Sequence, residues 1–108
     1  MSNHGSVGGV RLLSAAGLDP TFELQAAGPD VITGMPVRLG IGYGFNGPEV
    51  PVSPNLRACY WGGWGGSIVI NDLDARTTIA YAMNRMGDGL DTDMRGIAVV
   101  LAFIQSHI

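Results

Sequence analysis

Two indoles and four glycines fall within six consecutive residues, Trp61-Gly62-Gly63-Trp64-Gly65-Gly66, between Tyr60 and Ser67. Glycine in an extended segment costs backbone entropy and packs no side chain. The run marks a place where backbone comes close to another group, or where peptide N–H groups stay uncovered. A glycine-rich bulge between two core tryptophans would use the same residues, so context has to decide.

Other residues that could do chemistry are sparse. Nucleophilic catalysis needs Ser, Cys or Thr beside a base. Ser67 follows two glycines, but no base lies near it in sequence, and it reads as a strand residue. The G-x-S-x-G elbow and the S-x-x-K motif are both absent, and the chain contains no lysine. A phosphate loop needs a glycine-rich turn followed by a helix. Here the glycines precede a strand-like run, Ser67-Ile68-Val69-Ile70. His4 and His107 stand at opposite ends and Cys59 has no local partner, so no metal site is expected. Asp88, Asp91 and Asp93 lack the central glycine and closing glutamate of a calcium loop and read as loop and helix cap. No complete catalytic set and no cofactor site emerge from the residues themselves.

At 108 residues the chain is one domain at most. Its net charge is −3, and the six arginines are scattered. Nucleic-acid binding requires a basic stripe, and none is visible. Charged residues are 14% of the chain, against about 25% for soluble domains. Few charges leave too little polar surface to coat a small fold, which predicts burial against a partner chain or a second copy. No signal peptide and no membrane span are read, so the expected location is cytoplasmic.

The elements that must position the glycine run follow from periodicity and punctuation. Residues 1–9 read as a loop that opens the chain abruptly. Asp19-Pro20 predicts a short capped helix over Pro20–Ala26. Arg38 to Phe45 alternates apolar residues with Gly40, Gly42 and Gly44 and reads as one strand with a bare face. Asn46 to Pro54, with three prolines, reads as a surface loop. Three strands follow, Arg57–Gly63, Ser67–Asn71 and Thr77–Asn84, antiparallel because their links are short. A polar connection at Asn71–Arg76 joins the last two. Asp91, Thr92 or Asp93 caps a final helix, Met94–Gln105, which is apolar nearly all round and so expected to be packed from more than one side. The fold class is α+β: a three- to four-stranded antiparallel sheet covered by a C-terminal helix.

In order, Trp61-Gly62-Gly63, Trp64-Gly65-Gly66-Ser67, the Asn71-Asp72 hairpin and Ala80-Tyr81-Ala82-Met83-Asn84-Arg85-Met86 resemble the C-terminal end of the β-lactamase-like serine hydrolases. The carboxylesterases of that superfamily are most similar, with W-G-G where β-lactamases and penicillin-binding proteins carry K-T-G. Gly9-Val10-Arg11-Leu12-Leu13-Ser14 and Leu39-Gly40-Ile41-Gly42-Tyr43-Gly44 also resemble family segments, so the likeness runs from about Ser6 to the end.

The resemblance implies that residues 1–108 form a single partial domain, the C-terminal part of a β-lactamase-like α/β fold. It implies ester hydrolysis through an acyl-enzyme, with a small ester or lactam-like substrate. Trp61, Gly62, Gly63 and Tyr43 would line the substrate pocket. The backbone N–H of Trp64 would be one of two oxyanion-hole donors. The family's nucleophile and base belong to S-x-x-K and a tyrosine motif, neither of which this chain has, so it is expected to be inactive until completed by an N-terminal portion. The alternative is a non-catalytic binding or assembly module that oligomerises through an uncovered sheet or helix face.

Overall fold

The structure, a computed structural model, describes residues 1–88 and 94–107. The cap expected from Asp91, Thr92 or Asp93 lies outside the described residues. At the N-terminus, Gly8 and Gly9 have φ of +56° and +79°, as the central residues of a tight two-residue hairpin require. They join β1 (Ser6–Val7) to β2 (Val10–Arg11). The loop expected over residues 1–9 is therefore a small hairpin, signalled by Gly-Gly between two valines.

The short helix is displaced from its expected place at Pro20–Ala26. Ser14 caps α1 (Ala15–Leu18), its hydroxyl oxygen accepting from the Gly17 N–H at 3.0 Å. A 3-10 turn over Asp19–Phe22 uses Pro20 near its start. Ala26 already belongs to a strand. The cap is Ser14 and not the expected Asp19, and the helix it starts buries Leu18, which is 1% exposed.

Six strands form one sheet in chain order: β3 (Ala26–Pro29), β4 (Pro36–Leu39), β5 (Gly44–Phe45), β6 (Ala58–Gly62), β7 (Ile68–Asp72) and β8 (Thr77–Tyr81). All neighbours are antiparallel, as short links demand. The α+β class stands, and the expected meander is β6–β7–β8. The sheet exceeds three or four strands because the glycine-striped segment divides into β4 and β5, and because Ala26–Pro29 adds β3 where no strand was expected. Gly40 N–H donates to the Tyr43 carbonyl at 2.9 Å, and Leu39 pairs with Gly44 across the resulting turn. Gly40 and Gly44 serve close approach instead of a bare face, and Gly42, with φ of +84°, serves the turn. A Cβ on Gly40 would strike the Phe45 ring and the Thr21 carbonyl, and one on Gly44 would stand 2.9 Å from the Tyr60 ring.

The segment after β5 is not wholly at the surface. The Asn46 side chain donates to the carbonyls of Ser53 (2.9 Å) and Asn55 (2.8 Å) and accepts from the Val52 N–H (2.9 Å). One amide thus replaces the backbone pairing that a proline-rich loop cannot make, and it holds Val52 in the core at 3% exposure.

Strand alternation sorts the side chains. Tyr60, Ile70 and Ile79 are opposite one another on one face, and α2 (Met94–Ser106) lies over it with Val100 and Phe103. Within the described residues α2 is packed from that one side; Ile97 and Leu101 stay 36% and 52% exposed. On the other face Cys59 and Asn71 are buried, and the N-terminal segment reaches it through a 2.7 Å hydrogen bond between the Ser2 and Thr78 hydroxyls. Ile70, with no exposed surface, sits at the centre of the core. Ile70→Val is expected to lower stability by about 1 kcal/mol, read as an unchanged urea m-value with a lower midpoint; an unchanged midpoint would contradict this packing. No helix among the described residues is long and apolar enough to cross a membrane.

Candidate active site

Trp61 is in β6 next to Tyr60, and successive strand residues face opposite sides. Since Tyr60 points into the core under α2, Trp61 points away from it and stays 53% exposed. Register places Val69 directly across from Trp61, and Ala80 across from Val69. These residues, with Gly62, Gly63, Ser67, Ile68, Tyr81 and Ala82, line an open cavity of about 430 Å³. Its walls carry no charged side chain.

After Gly62 the chain turns. Gly63 N–H donates to the Ser67 carbonyl at 2.8 Å, and Gly66 N–H to the Gly63 carbonyl at 3.3 Å. The turn needs left-handed backbone at Gly65 (φ +92°) and at Gly66 (φ +120°), which only glycine adopts without strain. The glycine run is therefore the β6–β7 hairpin turn and the cavity rim together. Within it, the Trp64 N–H donates to no other group among the described residues, while its indole is 57% exposed.

Of the residues singled out in the sequence, Trp61, Gly62 and Gly63 line one cavity, and Trp64 adjoins it in the chain. Tyr43 does not line that cavity. It occupies the β4–β5 turn, one residue before Gly44, which pairs with Tyr60, so it leaves the sheet at the level of Trp61. Val69, Ala80, Tyr81 and Ala82 were not anticipated as wall residues. Their signal was the short Asp72–Thr77 connection, whose register sets β8 against β7.

The potential nucleophiles are quiet. The Ser67 hydroxyl donates to the Met83 sulfur at 2.6 Å and has no basic partner. Burial pushes the Cys59 thiol up to about 11, outweighing its hydrogen bond with Asn71, so it stays protonated and inert. Burial likewise raises the Tyr60 hydroxyl. No three His, Cys, Asp or Glu side chains gather as metal ligands among the described residues.

Two solved structures match nearly the whole chain. One is a family VIII carboxylesterase, 32% identical with a TM-score of 0.83 over 96% of this chain. The other is a penicillin-binding protein homologue from Caulobacter crescentus, 27% identical with a TM-score of 0.81 over 92% of this chain. Both are β-lactamase-like serine hydrolases. This chain has the β-lactamase-like serine-hydrolase fold, in part. It spans 28% of the carboxylesterase and 27% of the penicillin-binding protein homologue. No protein-family model and no curated protein matches it. Within the β-lactamase-like fold, the W-G-G stretch supplies the β6 end, the β6–β7 turn and the apolar cavity beside them.

Proposed function

We propose that this chain is the C-terminal part of a β-lactamase-like serine carboxylesterase, supplying a pocket wall and half of the oxyanion hole for ester hydrolysis through an acyl-enzyme. The observation that carries the reading is the unpartnered Trp64 N–H beside an uncharged cavity walled by Trp61, Gly62 and Gly63. An N–H with no internal acceptor is available to an oxyanion, and one such donor is worth about 3 kcal/mol in the transition state. The apolar wall suits the acyl part of a small ester. Trp64 has the oxyanion role; Trp61, Gly62 and Gly63 hold the acyl group, and Tyr43 borders it from the neighbouring turn.

The chain lacks S-x-x-K and any lysine, so on this reading it does not turn over alone. Hydrolysis of p-nitrophenyl butyrate is expected to be absent with the purified chain. It is expected to appear when the chain is mixed with the portion of the family VIII carboxylesterase that it does not span. Clear hydrolysis by the chain alone would overturn the assignment of nucleophile and base to another segment.

A second reading, a non-catalytic assembly module, draws on a different observation. Ile97 and Leu101 on α2 and the outer edge of β8 are uncovered, and β8 has no proline or charge to discourage pairing. A stable symmetric oligomer by light scattering, with no hydrolysis in any mixture, favours this reading over the first.

A further inference from the structure

Gly65 is buried although Gly63 and Trp64 beside it are exposed. What covers it is a pair of methionines from the segment after β8. A Cβ on Gly65 would stand 2.5 Å from Met86 Cγ and 3.1 Å from Met83 Cε, so both side chains lie directly on bare backbone. The same segment makes three polar ties to the turn. The Met83 sulfur accepts from the Ser67 hydroxyl, the Met83 N–H donates to the Ser67 oxygen at 3.4 Å, and Gly87 N–H donates to the Gly65 carbonyl at 2.8 Å. The held carbonyl is in the Gly65–Gly66 peptide, beyond the Gly63–Trp64 peptide that carries the free N–H, so these contacts anchor the turn on the C-terminal side of Trp64.

We infer that Met83 and Met86 are positioning residues that clamp the β6–β7 turn and aim the Trp64 N–H, and that oxidation of Met86 by a peroxide releases the clamp. Met86 is 59% exposed, so an oxidant reaches it without unfolding. In that step the thioether sulfur attacks one peroxide oxygen. The S–O bond forms, the O–O bond breaks and water leaves, with sulfur oxidised and peroxide reduced. A sulfoxide is polar and chiral, and it cannot lie against the Gly65 backbone as the thioether does. The importance of the clamp for catalysis rests on the hydrolase reading; its existence does not.

The test uses the chain alone and needs no activity. Amide exchange and chemical shifts are followed by NMR before and after hydrogen peroxide, with mass spectrometry locating sulfoxide. The expected result is sulfoxide at Met86, Gly87 N–H exchange faster by roughly five- to tenfold, the worth of about one hydrogen bond, and a shifted Trp64 amide. A methionine sulfoxide reductase restores both signals. Met86→Leu keeps the packing, retains Gly87 protection and no longer responds to peroxide. The inference is overturned by no sulfoxide at Met86, by Met86 sulfoxide with unchanged Gly87 exchange, or by the same rise in Met86→Leu. Loss of protection in an enzyme that proves inactive in every mixture would leave the clamp standing and sink the hydrolase reading instead.

Discussion

Gly63→Val in the completed enzyme is expected to lower kcat/KM by about 100-fold while this chain folds normally, since small displacements of a reacting group carry penalties of that order. The separation of the two effects comes from the geometry. A Cβ on Gly63 meets nothing closer than Ser67 Cβ at 4.0 Å, and the backbone there is not left-handed. Valine therefore causes no internal clash. Its methyl groups enter the cavity, where the acyl group would lie. Trp61→Ala takes away wall instead of adding to it. Trp61 is half exposed and packs no core, so stability changes little, and the expected loss is about tenfold in kcat/KM, mostly in KM. Steady-state kinetics on the completed enzyme, alongside circular dichroism of each variant, separate these outcomes. Unchanged kinetics in both variants would remove the pocket assignment.

Asp72→Ala is expected to destabilise the chain by about 3 kcal/mol, because it leaves the buried Ser53 hydroxyl and two part-buried donors without their acceptor at once. Asp72 has no exposed surface. Its carboxylate accepts from the Ser53 hydroxyl, from the Asn55 amide at 2.9 Å and from the Ala75 N–H at 2.7 Å. Burial alone would raise its pKa. The hydrogen bonds from the Ala75 backbone, Ser53, Asn55 and the Asp74 backbone outweigh that and hold the carboxyl below its ordinary value. The sign for stability follows. A folded-state pKa below the unfolded one gives a contribution that is complete above about pH 4 and lost as pH falls further, because the unfolded chain takes up the proton first. Urea midpoints measured between pH 3 and 7 are expected to fall at the acid end in the wild type and to flatten in Asp72→Asn. An equally steep acid limb in Asp72→Asn would show that another group carries it.

The two predictions concern opposite ends of β7, and the ends differ in how far they could be read from sequence. The three-stranded meander and the terminal helix were legible because their apolar periodicities are strong and their links short, so local pattern and tertiary contact agree. The W-G-G stretch stood out as a place where backbone comes close to another group or turns sharply, and the structure uses it for both: Gly65 lies under Met83 and Met86, and Gly65 and Gly66 make the turn. The α+β class and the family likeness followed from the order of these pieces.

Three local readings yielded to tertiary contacts. The Arg38–Phe45 alternation looked like one strand, yet Gly40 and Gly44 are glycine because the Phe45 and Tyr60 rings occupy the space a Cβ would take; period-two spacing alone does not distinguish that from a bare face. Asp19-Pro20 was an adequate local helix start, yet the helix begins after Ser14 and buries Leu18. The loop before β6 read as surface from its prolines, but one side chain, Asn46, folds it inward. Candidate site residues divided in the same way. Trp61, Gly62 and Gly63 are contiguous, so sequence by itself brought them together. Val69, Ala80 and the Met83–Met86 pair meet them only through strand register and packing, which are set by side chains distant in the chain. Residue types and local order thus determined which chemistry the chain could contribute. Only the tertiary structure decided which wall faces that chemistry and what holds its backbone still, because those contacts join strands that no local pattern links.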